Sequence, residues 1–117
     1  MSEFLYGIVK KQIELTKKIG INIQTEDILE REDLSKQMIL AMHAELSELL
    51  EWTNWKHWKK TRVEYDDARL KEMHKELIDI LHFWTNLTIL WGLTPQMIVD
   101  IYEEKAKENL DRQDKGY

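Results

Sequence analysis

Three observations predict an all-α protein, a compact bundle of four helices. Among 117 residues there are four Gly and one Pro, too few turn formers for a β fold. Apolar residues recur at the helical period of about 3.6 residues along most of the chain. The breaks between these stretches carry helix stop and start signals: Gly20, Gly92 and Thr94-Pro95. The length suits one core, so residues 1–117 are expected to form a single domain.

The first helix is expected over residues 3–19, with Phe4, Leu5, Ile8, Val9, Ile13 and Leu15 toward its buried side and Gly20 as its stop. A polar connection containing Asn22 and Gln24 follows. The second helix is expected from about Asp33 to Trp52, its stripe being Leu34, Met38, Met42, Leu46, Leu49 and Leu50. The segment TNWKHWKKTRVEYDD, dense in Trp and Lys, reads as an irregular loop or short helical turn. The third helix starts near Asp67 and reaches Leu90 through Leu70, Met73, Leu77, Ile80, Leu81, Trp84 and Leu87, the stripe running on to Trp91. Thr94 as N-cap and Pro95 at the first helical position start the fourth, which holds Ile98, Ile101, Tyr102 and Ala106 before turning polar.

Hydrophobic residues make up 43% and charged residues 33%, a globular balance. The absence of cysteine excludes disulfides, thiolate zinc and a Cys nucleophile. The opening MSEFLYGIVKKQ lacks the apolar core of a signal peptide, and no run approaches the roughly 18 apolar residues of a membrane span. A cytoplasmic protein without a membrane partner is expected. The net charge of −5 argues against general nucleic-acid binding, although cations can bridge a polyanion to an acidic site. Positive charge gathers in Lys56, Lys59, Lys60 and Arg62, and again in Lys105, Arg112 and Lys115.

Two acidic motifs carry the chemistry: Glu45-x-x-Glu48 on the second helix and Glu76-x-x-Asp79 on the third. Residues three apart share a helix face, so each pair projects its carboxylates together. Glu45 lies in the row of Met38, Met42 and Leu49, and Glu76 in that of Met73 and Ile80. A carboxylate in an apolar row must be paired, protonated or metal-bound, because burying a lone charge is too costly. Four carboxylates from two facing helices make an oxygen-only site of the kind Mg²⁺ or Mn²⁺ prefers, and handling phosphates is its obvious task. A di-iron bundle fits less well, because Asp79-x-x-His82 has no second copy and Glu48-x-x-Glu51 puts an acid where the other His belongs. His43, His57 and His74 have no zinc spacing. The tryptophans Trp52, Trp55, Trp58, Trp84 and Trp91 suit a core or a dimer seam, with one or two loop members free to stack on a base.

The segments AELSELLEWTNWKHWKK, KELIDILHF and YEEKAKENLDRQDKGY together resemble the all-α NTP pyrophosphatases, and within them the dimeric dUTPases. The ExxE…ExxD pattern is shared with MazG-like enzymes, whereas WKHWK and the closing K-x-x-x-N-x-x-RQ-x-x-GY are more specific. The resemblance implies a Mg²⁺-dependent hydrolase of dUTP, giving dUMP and pyrophosphate. It implies that Glu45, Glu48, Glu76 and Asp79 hold the metal, with Glu48 placed to orient or deprotonate the water. Lys59, Lys105, Asn109, Arg112 and Tyr117, with Lys56, would contact phosphates. Gln12 would read the uracil edge, Asn22 matches a loop asparagine beyond Gly20, and Trp55 matches a tryptophan near the nucleotide. Departures from the pattern are Leu15 and Ala106 at asparagine positions, Ile23 at a tryptophan position, and a short Gly92-Leu93-Thr94 link where dimeric dUTPases carry an insertion. A homodimer is implied, or a tetramer as in MazG-like relatives. The alternatives are a broader dNTP pyrophosphatase acting on dCTP, a nucleotide-binding helical dimer without turnover, and a structural dimer whose acids pair with Lys71, Lys75 or Lys105.

Overall fold

In the computed structural model, which describes residues 2–116, the chain forms α1 (Ser2–Lys18), α2 (Ile28–Glu51), α3 (Asp67–Leu90) and α4 (Pro95–Asp114). The all-α, four-helix architecture is the one the sequence predicts, and no strand occurs among the described residues. Each punctuation signal acts as expected. Gly20 and Gly92 take φ of +82° and +75°, a region that favours glycine. Thr94 caps α4 by accepting from the Met97 N–H at 3.2 Å, with Pro95 behind it.

α2 begins about a turn earlier than the apolar stripe suggests. Asp27 is its N-cap, its side chain accepting from the Leu29 N–H at 3.0 Å. Thr25 braces the same corner, donating to Glu30 at 3.0 Å and accepting from the Asp27 N–H at 3.2 Å. This capping network, not the first buried residue, sets where the helix starts.

α2 and α3 pack side by side and antiparallel, since Ser35 meets Trp91, Met38 meets Asn86 and Trp52 meets Arg69. Of 24 residues each, they make a hairpin about 36 Å long. α1 lies across the later part of α3. Its seam is polar: Gln12 and Thr16 of α1, with Thr85, Asn86 and Thr88 of α3, are buried. Ile23, Leu34, Met38 and Leu90 form the fully buried apolar cluster, with Ile13, Ile21, Phe83, Leu87 and Ile89 packed against it.

α4 lies beside α1, and among the described residues none of its Cα atoms comes within 8 Å of α2 or α3. The radius of gyration, 17.8 Å, accordingly exceeds the about 13 Å usual for a folded chain of this length. The expected apolar stripes are therefore only partly covered within one chain. Leu34 and Met38 are buried, whereas Phe4, Leu15, Leu46, Leu50, Leu70, Leu77, Trp84, Trp91 and Ile101 stay exposed. Helical periodicity reports which side is apolar, not what covers it. No described helix is long and apolar enough to cross a membrane.

Candidate metal centre and its cationic loop

The α2–α3 hairpin brings Glu45, Glu76 and Asp79 together, with one carboxylate oxygen from each lying within 4.8 Å of the others. Glu48, one turn along α2 from Glu45, is near enough to Glu76 for the two carboxyls to perturb each other. Helix spacing fixes the two acids within each motif, and antiparallel packing sets the motifs opposite one another. Glu45 and Glu76 are each half-buried, and one oxygen of each is fully covered without a hydrogen-bond partner among the described residues.

The electrostatics follow from crowding. The Glu48 carboxyl is held above its ordinary value, first by its hydrogen bond to Glu76 and then by that group's charge. Glu76 is raised likewise, by its hydrogen bond to Glu45 and by desolvation. Lys75 pairs with Glu72 and Lys105 with Glu108, each at 3.3 Å, so among the described residues no ion pair neutralises the four acids. Orphaned, covered carboxylate oxygens with no basic neighbour fit a hard divalent cation, which resolves both the repulsion and the missing partners.

One turn past Glu48, α2 ends at Trp52 and the segment 53–66 folds back as a closed loop. The Asn54 side chain holds it shut, donating to the Val63 carbonyl and accepting from the Val63 N–H, both at 2.8 Å. The Asn54 N–H donates to the Tyr65 hydroxyl at 3.0 Å. Arg69 of α3 fastens the base of the loop. Its Nε donates to the Trp52 carbonyl at 2.6 Å, and its guanidinium lies 5.5 Å from the Trp52 ring and 5.9 Å from that of Tyr65. The loop encloses a cavity of about 420 Å³ lined by Trp55, Lys56, Lys59, Lys60, Arg62 and Arg69 among others. Trp55 packs edge-on to Trp58 at 5.6 Å and carries the Lys56 ammonium 5.6 Å from its ring. Its five cations make a surface able to hold an anion, in a loop that begins one turn past Glu48 in the chain.

Gln12 lies beyond the acids along α3. Its Nε2 donates to Asn86 Oδ1 at 2.7 Å and to the His82 carbonyl at 3.4 Å. Gln12 is buried, and its contacts on α3 lie one to two turns beyond Asp79. Asn86 in turn donates to the Met38 sulfur at 3.5 Å. Asn22 is exposed and accepts from the Gln24 N–H at 3.1 Å, shaping the turn after Gly20. Lys105, Asn109 and Arg112 are exposed on α4 and are not brought to the acids within this chain. Tyr117 lies outside the described residues.

Sequence reasoning missed Asn54, Arg69 and Asn86. Asn86 had a signal, because Thr85, Asn86 and Thr88 interrupt a stretch otherwise expected to be buried. Asn54 and Arg69 act through a fold-back that periodicity does not encode.

Fold and site together define an all-α protein whose antiparallel hairpin gathers four acids and then turns through a cationic loop. The particular family is clear from comparison: a profile of the family described as dUTPase matches residues 5–97, and the chain belongs to that family. Among curated proteins, the chain is 37% identical over 63 residues to a dCTP pyrophosphatase of Enterobacteria phage T4. That match covers 47% of this chain and 37% of the phage protein, so the chain spans well under half the length of this relative. No solved structure matches the chain significantly.

Proposed function

We propose that the protein is a Mg²⁺-dependent nucleoside triphosphate pyrophosphohydrolase whose first substrate is dUTP, converted to dUMP and pyrophosphate. The observation that carries this reading is the convergence of Glu45, Glu48, Glu76 and Asp79, with two covered oxygens unpartnered, in a chain of the dUTPase family. Mg²⁺ would be held by Glu45, Glu76 and Asp79 with Glu48 beside them, Mn²⁺ being the nearest substitute. When bound it supplies charge neutralisation and a more acidic water.

The chain's own groups do the remaining work. Glu48, more exposed than Glu45 and with its carboxyl raised, is suited to take a proton from the attacking water. Lys59 and Lys56 in the loop cavity balance charge on the phosphate oxygens, and Trp55 offers a face for stacking. Gln12, its amide nitrogen already tied to Asn86 and His82, keeps its carbonyl oxygen as an acceptor toward a base. Substrate turnover takes place in the cytoplasm in this reading, by an assembly of at least two copies.

A second reading is dCTP as the preferred substrate. It is favoured by the name of the phage relative and by Gln12, since a lone acceptor suits the N3–H of uracil and the amino group of cytosine alike. Product analysis after incubation with each NTP and dNTP, with Mg²⁺ or with EDTA, separates the two. Metal-dependent release of pyrophosphate from dUTP alone supports the first, and from dCTP the second. Absence of turnover on every nucleotide overturns the catalytic reading and leaves a nucleotide-binding module.

A further inference from the structure

Gln12 is only 5% exposed, and its amide nitrogen is spent on Asn86 and on the His82 carbonyl of α3. A side chain so covered offers no face to an incoming ring unless its cover moves. The cover is the contact between α3 and α1, the helix that carries Gln12, and that contact is held by little. Among the described residues, the two bonds from Gln12 are the only hydrogen bonds across the seam. Its buried hydroxyls turn back onto their own helices. Thr16 donates to the Gln12 carbonyl at 2.9 Å, Thr85 to that of Leu81 at 2.7 Å, and Thr88 to that of Thr85 at 2.8 Å. Parting α1 from α3 therefore breaks no hydrogen bond beyond those of Gln12.

The apolar cover is thin as well. Leu5, Ile8, Val9 and Ile13 of α1 are only half-buried, and Phe4 and Ile19 are 71% and 64% exposed. No described Cα of α1 comes within 8 Å of α2. α4 approaches α1 alone, so it rides with α1 rather than holding it down.

The joint that follows α1 is fastened on its far side only. Ile23, 1% exposed, sits in the apolar cluster with Ile21 packed against it. Arg31 Nη2 donates to the Thr25 carbonyl at 3.0 Å, and its guanidinium lies 5.6 Å from the Trp91 ring. Trp91 Nε1 in turn donates to Ser35 at 2.7 Å. Residues 21–25 are thus tied to the end of the α2–α3 hairpin. Between them and α1 stands Gly20, with open space on the side where a Cβ would project. α4 leaves the same end of the hairpin through Gly92, so both of the outer helices turn on glycine joints placed together.

We propose that α1 is a flap, hinged at Gly20 and carrying α4 with it, that lifts from α3 to admit the nucleotide base to Gln12. Lifting frees both sides of the Gln12–Asn86 bond at once, the amide of one and the side-chain oxygen of the other. Nucleotide affinity is then set in part by the open fraction, because binding to a minor state weakens in proportion to its scarcity. The flap stands on the seam and the joint; the admission of a base rests on the pyrophosphohydrolase reading.

The chain has no cysteine, so a single thiol reports each opening without background. Thr16→Cys places one in the α1–α3 seam, and Ser35→Cys places one between α2 and α3, both at buried positions. Each labelling rate is normalised to that of the same chain unfolded in urea, under conditions where reclosing outpaces reaction. Thr16→Cys should label at least about tenfold faster than Ser35→Cys and with a weaker urea dependence, since less surface is exposed. Equal rates with equal urea dependence overturn the flap. Hydrogen exchange repeats the test on the unsubstituted chain. The amides of α1 should exchange ahead of those of α2 and α3, because a detached helix of 17 residues is marginal in water. Exchange in step with the hairpin overturns the flap too. Mg²⁺ with a non-cleavable imido analogue of dUTP or dCTP should speed Thr16→Cys labelling at least about threefold, whereas Mg²⁺ with inorganic tripolyphosphate, which lacks a base, should not. The same acceleration by tripolyphosphate overturns base admission, and so does unchanged or slower labelling by a nucleotide that calorimetry shows to be bound. A flap that opens in a chain binding neither nucleotide overturns the pyrophosphohydrolase reading and base admission together, and leaves the hinge standing.

Discussion

Arg69 is the side chain on which the cationic loop depends, and its removal has a calculable effect. Arg69→Ala deletes one charge-assisted hydrogen bond to the Trp52 carbonyl, worth about 1.5–3 kcal/mol. It also deletes two guanidinium–ring contacts, worth about 0.5–1 kcal/mol each at a site that water reaches. Because the Tyr65 contact is near the limit of reach, it is left out and the sum is about 2–4 kcal/mol. Released into local opening of segment 53–66, that is roughly a 30- to 900-fold rise in the open population. Limited proteolysis reads this population directly when reclosing outpaces cleavage. Cleavage within 53–66 should accelerate by that factor, with the circular dichroism of the helices unchanged. KM for the nucleotide should rise together with it, since Lys56 and Lys59 lose their fixed positions. Arg69→Lys keeps the charge but not the planar stack and should recover only part of the loss. Cleavage within about threefold of wild type would show that the Asn54–Val63 bonds alone hold the loop, and that Arg69 was wrongly credited.

Other expectations follow from the acids, the polar seam and the core. In EDTA, Glu48 and Glu76 hold protons more tightly folded than unfolded, so stability falls as pH rises from the ordinary carboxylate value through their raised values. Glu76→Gln relieves that repulsion: its Tm should exceed wild type in EDTA at about pH 8 but not at about pH 4, and saturating Mg²⁺ should reverse the order at about pH 8. A Tm difference that does not vary with pH would remove the repulsion argument. Asn86→Leu leaves the Gln12 amide with only the longer bond to the His82 carbonyl, and the ratio of kcat/KM for dUTP and dCTP should move by about tenfold or more; an unchanged ratio would detach this pair from base choice. Leu34→Ala, in the buried cluster, should cost about 2–5 kcal/mol in urea unfolding, whereas Leu40→Ala on an exposed face should alter self-association more than subunit stability.

The four helices were legible because periodicity and punctuation agree: Gly20, Gly92 and Thr94-Pro95 each end or start a helix where the apolar rows do. The start of α2 was misplaced because Asp27 and Glu30 form a polar cap ahead of the first buried residue. Bringing Glu45 opposite Glu76 needed only their intrusion into apolar rows and one antiparallel packing, and Glu48 follows one turn along α2. The loop was not legible, since Asn54 finds Val63 and Arg69 finds Trp52 through a fold-back with no period. Nor does any local signal say that α4 leaves its own hairpin, because an amphipathic helix looks the same whichever chain it covers.

The hydrogen bond from Gln12 to Asn86 has a consequence for how this protein can change over evolutionary time. An apolar seam between α1 and α3 could slide by a turn and repack, but a buried amide pair is satisfied in a single register. In the proposed reading, the residue that would meet the base is thus also the pin that aligns two helices. Under that reading, a substitution that exchanged one pyrimidine for the other through Gln12 would also disturb the register of α3, the helix that carries Glu76 and Asp79. Drift between substrates has to proceed by paired changes at both positions, or by residues away from the pin.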